Sequence, residues 1–391
     1  MRTFVFAVCV SLSIGGLVWG QTQITIASPR ATDLRAKAGD VSGPRPAAAP
    51  ADGTTVPFSI AGPTLGFVFD RDASAVRRVP GVPGSAFLGE ELELGLPLKN
   101  AYAAPQQDYV VGISSDTQSV LLISLVHGAV NSATTLDTVP SAPDRVVFSP
   151  SGDSIALYYQ NSRTVLSVTG VPGAPRMVSS WSLPEYLGNL SSLAIKDGGG
   201  VALAGVATDS VGGLMLLSND GSTSLLLPMG HPTAAEFLWG RGDAVVADAG
   251  QGQVYLLSNV AGAVSTRVLT RLEDGLANPD LVAVDRFAQT AVVGQRGGSG
   301  GLRVNLADGS VQPFDCGCAM SVMEPLNGNA SYRLTDVQAG QFFALDNSGA
   351  NAVVQTILQT APAPLCTSAE WLTSRAGLCR TPSRSPARPR E

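Results

Sequence analysis

His127 and His231 are the chain's two imidazoles, and they bound the chemistry on offer. A zinc site needs three or four ligands, and neither histidine has a cysteine or a second histidine beside it. The same scarcity weakens a Ser-His-Asp hydrolase, and no Gly-x-Ser-x-Gly elbow stands between a strand and a helix. Both histidines read as turn residues. His127 follows the apolar run ending at Val126, and His231 sits within Pro228-Met-Gly-His-Pro232.

Carboxylates supply the other candidates. Glu90, Glu91 and Glu93 could gather a cation or steer a basic partner, but a solvated charged loop accounts for them. Asp70-Arg-Asp72 and Asp346-Asn-Ser-Gly349 contain pieces of a calcium loop without its full alternating oxygen series, and hairpin turns explain both. No cofactor is expected, calcium being the one option these fragments leave open. Gly297-Gly-Ser-Gly-Gly301 has the composition of a phosphate cradle, yet neither a Lys-Ser or Lys-Thr pair nor a helix follows, so it reads as a hairpin loop. The sequence assigns no catalytic, cofactor-binding or metal-binding residue.

Cysteine is more informative once the compartment is set. Met1-Arg2, an apolar stretch over 4–18 and Val18-Trp19-Gly20 before Gln21 form a secretory-signal pattern with cleavage after Gly20. A membrane anchor is the alternative, but Ser11, Ser13, Gly15 and Gly16 dilute a segment that would need about 20 apolar residues. Cys9 leaves with the signal. Export to a secreted or periplasmic, oxidising location makes Cys316, Cys318, Cys366 and Cys379 disulfide candidates. A zinc knuckle separates its cysteines by two to four residues, where Cys316-Gly-Cys318 has one.

Thr367-Ser-Ala-Glu370 is a capping box and Gly377 a suitable stop, which predicts a helix over 368–376. Such a helix is about 13 Å long, whereas bonded cysteines keep their Cα atoms about 4.4–6.8 Å apart. If the helix forms fully, Cys366 and Cys379 at its ends cannot easily pair. Cys316 and Cys318, read as strand-like, also make a poor mutual pair. The expected arrangement is a clasp, with Cys316 or Cys318 bridging to Cys366 and Cys379. A 366–379 bridge with a shorter helix is the alternative.

The elements that must position these residues follow from composition and period. The chain is 45% hydrophobic and 14% charged, with 43 Gly and 26 Pro. That apolar content excludes a wholly disordered chain, and the absence of long apolar runs beyond the N-terminus excludes a multi-span membrane protein. A formal net charge of −6 offers no positive field to hold nucleic acid. Residues 21–57 are rich in Pro and Ala and read as a flexible tether, and 381–391 as a disordered tail.

Between them, over 58–360, one unit recurs: apolar strand, turn, strand, turn, strand. Its clearest copy runs from Arg145 to Val168. Aligned on the last apolar residue before the first turn, Phe148, Ile195, Leu238 and Val284 lie 47, 43 and 46 residues apart. An early hairpin joining 66–69 to 75–79 brings the copies to seven. A period of about 40 to 45 residues holding about four strands is that of a β-propeller blade, because one blade cannot cover its own apolar faces and several must close into a ring. A set of β-sandwiches predicts no constant period. The expected fold is an all-β propeller of seven four-stranded antiparallel blades, six being the runner-up, followed by the short helix within 361–380.

Val147-Phe-Ser-Pro-Ser-Gly-Asp-Ser-Ile-Ala-Leu157 resembles the Phe-Ser-Pro-Asp-Gly blade motif of secreted bacterial propellers in the TolB-like and YVTN-like group, themselves similar to WD40 proteins. The resemblance implies a scaffold for protein or ligand binding and carries no active site with it. The leading expectation is an exported, monomeric, non-catalytic propeller that binds a protein or cell-envelope component. Its rival is a hydrolase or lyase using Asp and Glu in the central channel, with or without calcium. A third reading is a structural module tethered to a surface assembly. The first two are discriminated by whether carboxylates from three or more blades converge at one channel mouth.

Overall fold

The computed structural model describes residues 62–208 and 211–359. The segments expected to be the signal peptide, the tether, the C-terminal helix with Cys366 and Cys379, and the tail lie outside the described residues. Among the described residues no helix is long and apolar enough to cross a membrane.

Six four-stranded antiparallel sheets follow one another along the chain. The first comprises β3 (Leu98–Ala103), β4 (Tyr109–Ser114), β5 (Val120–Val126) and β6 (Ala129–Thr135), after a two-stranded hairpin of β1 (Thr64–Asp70) and β2 (Ala75–Pro80). The second is β7 (Arg145–Phe148), β8 (Ser154–Tyr159), β9 (Thr164–Thr169) and β10 (Arg176–Ser182). The third is β11 (Asn189–Ile195), β12 (Ala202–Ala207), β13 (Gly212–Leu217) and β14 (Thr223–Met229), and the fourth is β15 (Pro232–Phe237), β16 (Ala244–Asp248), β17 (Gln253–Ser258) and β18 (Ser265–Thr270). The fifth is β19 (Leu281–Val284), β20 (Thr290–Gly294), β21 (Gly300–Asn305) and β22 (Val311–Asp315), and the sixth is β23 (Glu324–Pro325), β24 (Ser331–Arg333), β25 (Gln341–Asp346) and β26 (Val353–Leu358).

The core lies between sheets rather than within them. In β8 every residue is buried, which is why its sequence reads as one apolar run. Side-chain alternation divides that run: Ile155, Leu157 and Tyr159 pack against the first sheet, and Ala156 and Tyr158 against the third. The same division recurs around the molecule and makes seven apolar interfaces. Two of them flank the β1–β2 hairpin. Leu65, Val68 and Val79 pack on Phe342 and Ile357 of the sixth sheet, while Phe67, Phe69 and Val76 pack on Leu98, Val110 and Ile123 of the first. The ring is therefore a β-propeller of six complete blades, and the hairpin fills the seventh place as a partial blade. Outer strands are polar where they meet water, as in the largely exposed β6, and this protects the blade edges from pairing with other chains.

Further contacts complete the partial blade. Leu88 N–H donates to Leu358 O at 2.9 Å, and Arg77 forms a bridge with Glu91. The Arg77 guanidinium pairs with Asp70 at 2.7 Å and Glu91 at 3.0 Å. Glu91 thus clips a chain segment onto β2, which corrects the reading of the whole acidic run as a solvated loop.

Each first strand ends in the same closed turn. Ser149 N–H donates to Ser154 O at 2.9 Å, Lys196 to Val201 at 2.9 Å, Leu238 to Asp243 at 2.9 Å, Asp285 to Thr290 at 3.0 Å and Leu326 to Ser331 at 2.8 Å. Phe237, rather than Leu238, is therefore the equivalent of Phe148, Ile195 and Val284. The sequence misplaced it by one residue because Leu238 is itself apolar and packs into the interface with the fifth blade.

Candidate functional site

All six complete blades contribute to one cavity of about 300 Å³ at the end of the channel where the first strands finish. That volume lies at the lower end of the range for small-molecule sites. The bonded turns define a level in the wall, one residue before each strand's last. Tyr102, Val147, Ala194, Glu236, Ala283 and Glu324 stand there, and all but Ala283 line the cavity. Above them the turns supply a rim that includes Trp239, Arg286 and Asn329.

Polar links join each blade to the next around this rim. Tyr109 Oη–H donates to Gly152 O at 2.7 Å, joining the first and second blades. Ser151 N–H and Gly240 N–H donate to the two oxygens of Asp197 at 2.9 and 3.1 Å, so one carboxylate on the third blade holds the turns of the second and fourth. Arg286 lies over the Trp239 ring at 4.2 Å from its centroid, linking the fourth and fifth blades, and Arg286 N–H donates to Asn329 O at 2.9 Å. Asn327 N–H then reaches Leu65 O at 2.6 Å.

Gln107 closes the circle. Its Oε1 accepts from Phe67 N–H at 2.8 Å, and its Nε2 donates to Ala104 O at 3.1 Å and Pro325 O at 2.8 Å. One buried amide thus ties the partial blade to both of its neighbours.

Three carboxylates from three blades face the cavity, and their surroundings differ. Asp285 accepts from Phe287 N–H at 2.8 Å, from Gln289 N–H, and from both the amide and the hydroxyl of Thr290, so its own turn occupies both oxygens. Glu324 is paired with Arg333, which also lies 3.5 Å from Asp336. Glu236 has neither arrangement. It faces a lumen that admits water, yet the ring walls enclose it on every side. Burial pushes its carboxyl up to about 8, and the one opposing influence is a hydrogen bond with the Val284 backbone.

Tyr332, which also borders the cavity, is 2% exposed and its hydroxyl has no hydrogen-bond partner. Burial raises the Tyr332 hydroxyl well above its usual range, and the neighbouring Glu236 and Asp285 add to the effect. Tyr102 is raised by burial first and by Glu324 second. The cavity therefore combines an enclosed carboxyl and an unpartnered hydroxyl with apolar walls from Val147, Phe148 and Val284.

None of the residues weighed from sequence as ligands, acids or disulfide candidates lies at this site. His127 occupies a left-handed turn between β5 and β6 (φ 51°), and the His231 backbone N–H donates to Asp248 at 2.6 Å. Asp70 and Asp346 accept backbone amides of their own turns, from Asp72 at 3.1 Å and from Ser348 at 3.0 Å. The glycine run joins β20 to β21. Among the described residues no group of three His, Cys, Asp or Glu is placed to hold a metal.

The cysteines require a correction. Cys316 and Cys318 are bonded to each other with Cα atoms 5.1 Å apart, inside the range a disulfide allows. They are not strand-like: β22 ends at Asp315, and Gly317 takes a left-handed φ of 60° that folds the chain back. Neither sulfur is left for a clasp to Cys366 or Cys379. Glu236 was legible only as one of two carboxylates, with Glu324, at this level of the wall, a signal that depends on placing Phe237 correctly.

These features define a closed β-propeller with a ligand-sized cavity at one mouth. No protein-family model matches the chain, and no curated protein sequence does. Among solved structures it is similar to a functionally unknown protein from Desulfotomaculum acetoxidans DSM 771, with TM-score 0.50 and 14% identity over 75% of this chain and 100% of that one. It is also similar to a chain of the nidogen/laminin complex (TM-score 0.43, 17% identity, 64% and 93% covered). A third likeness is to a chain of Kuenenia stuttgartiensis hydrazine synthase (TM-score 0.44, 14% identity, 79% and 99% covered). At such identities the likeness concerns fold alone.

Proposed function

We propose that the chain is an exported, monomeric, non-catalytic propeller of the TolB-like and YVTN-like kind, acting as a scaffold that binds a protein or cell-envelope component at the face where the cavity opens. The observation that carries this reading is the cavity itself, framed by turns bonded from blade to blade. A rim fixed in this way presents a preformed surface and loses little conformational freedom on binding. The hydrolase or lyase reading draws on Glu236, Asp285 and Glu324, which come from three blades. It needs at least two carboxylates free to act as acid and base, and Asp285 and Glu324 already have internal partners.

The test is site-specific photocrosslinking of the full chain in its own cell envelope. A benzoylphenylalanine probe replaces exposed Phe287 on the cavity face or, as control, exposed Tyr186 between β10 and β11 at the opposite face. One discrete crosslinked species from the Phe287 probe alone supports the reading, with a mature chain beginning at Gln21. Equal labelling from both positions, or none from Phe287, overturns it.

A further inference from the structure

We propose that the channel-mouth cavity is a receptor for a primary alkylammonium group, with the ammonium donating to the Glu236 carboxylate and the Tyr332 hydroxyl oxygen while its alkyl stem lies along Val147, Phe148 and Val284. This inference deepens the binding-scaffold reading and rests on the same face.

Four observations converge on that chemistry. The cavity is small and largely apolar at the wall, so it suits a slender stem rather than a broad polar surface. Its inward-facing charges are the carboxylates Glu236, Asp285 and Glu324, which disfavour an anion. The rim cation, Arg286, is stacked on Trp239 rather than free to meet a ligand. Tyr332 Oη is buried without a partner, a costly condition for a hydroxyl that a donor from the ligand would relieve. A neutral apolar occupant would leave this hydroxyl without a partner and the Glu236 carboxyl with its Val284 backbone bond alone. A metal ion would want a set of converging ligands that the described residues do not provide.

Binding changes the protonation of one group. Glu236 is enclosed among Tyr102 on β3, Asp285 and Arg286 after β19, Glu324 on β23 and Tyr332 on β24. With its carboxyl raised to about 8, Glu236 is mostly neutral at pH 7. An ammonium beside it favours the ionised form. The complex therefore forms with release of the carboxyl proton to buffer, while the ligand keeps its three N–H donors.

The same chemistry could arrive as a free amine or as a lysine side chain on a bound protein, and two probes separate them. Calorimetric titration of the full chain at pH 7, in two buffers of different ionisation enthalpy, is performed with n-pentylammonium chloride, with Nα-acetyl-lysine N-methylamide, and with 1-pentanol as the neutral isostere. Pentylammonium is expected to bind at least tenfold more tightly than pentanol, releasing nearly one proton per site. Tight binding of the lysine amide assigns the site to a partner's side chain, and its exclusion assigns the site to small amines.

In Glu236→Gln the ammonium preference disappears, and in Tyr332→Phe affinity falls about three- to tenfold. Pentanol binding as tightly as pentylammonium overturns the inference using wild-type protein alone, whatever the variants do. So does an unchanged ammonium affinity in folded Glu236→Gln. If ammonium binding fails while crosslinking at Phe287 persists, this inference falls and the scaffold reading stands. If crosslinking fails while ammonium binding persists, the reverse holds.

Discussion

Replacing Glu236 by Gln should change how stability depends on pH, and the sign follows from the enclosure of the carboxyl. Its folded-state value, about 8, is raised above the ordinary 4.5. Between those limits the folded chain holds a proton that the unfolded chain has released. The contribution of neutral Glu236 is therefore complete below about pH 4.5 and is lost as pH rises through about 8. A displacement of roughly 3.5 pH units, at about 1.4 kcal/mol each, sets a ceiling near 5 kcal/mol. Water in the cavity screens the charge, so about 2–4 kcal/mol is expected. Asp153 does not confuse the window: burial opposes its ionisation, but hydrogen bonds from Ser154, Ser149, Gly198 and Ser151 outweigh that and hold it below the usual carboxylate range. Urea melts of both chains from pH 5 to pH 9 isolate the effect, every other titrating group being common to them. The variant should gain on the wild type by about 2–4 kcal/mol across that span. Parallel curves would refute the assignment of Glu236 as an enclosed, neutral acid.

Gln107→Leu should lower stability by about 3–5 kcal/mol, because it leaves Phe67 N–H and Pro325 O buried without partners and puts a branched side chain at a left-handed backbone position (φ 58°). A urea midpoint within 1 kcal/mol of wild type would remove Gln107 from ring closure. Peptide mapping without reductant should recover Cys316 and Cys318 in one internally bridged peptide, two hydrogens lighter than its reduced form; recovery of either residue joined to Cys366 or Cys379 would restore the clasp.

Much of the fold was legible in the sequence because a propeller repeats its burial problem. Residues such as Ile155 to Tyr159 must be apolar on both faces, since each blade packs against two neighbours, and that requirement produces regular apolar pairs and turns. The strands of the copy running from Arg145 to Val168 pair as the sequence indicated. The partial blade was harder to read. The 66–79 hairpin was recognisable, but its completion by Leu88 and Glu91 depends on contacts with Leu358 and Arg77 that carry no local pattern. The site was harder still. Tyr102, Glu236 and Glu324 are far apart in sequence and share only a register level, and register is lost if one strand end is misplaced by a residue, as with Leu238. Cys316 and Cys318 were misjudged for a related reason: a strand was continued three residues beyond its end at Asp315.

The organisation of the wall also bears on why the cavity can hold a costly group. Apolar interfaces between blades carry the stability of the ring, and the rim links fix its shape. The level occupied by Glu236, Val147 and Ala194 borders the lumen, although Val147 and Ala194 also pack into interfaces between blades. A carboxyl there still costs stability, because an enclosed acid with one backbone hydrogen bond is poorly compensated. Asp197 is a carboxylate that serves the fold, holding two neighbouring turns, and Asp285 serves its own turn. Glu236 serves neither, and Tyr332 presents an unpartnered hydroxyl to the same space. A poorly compensated carboxyl and an unpartnered hydroxyl at a preformed, ligand-sized cavity form a coherent pair when an occupant with its own donors is included. That complementarity, rather than the propeller fold itself, is what supports the proposed ligand site at this end of the channel.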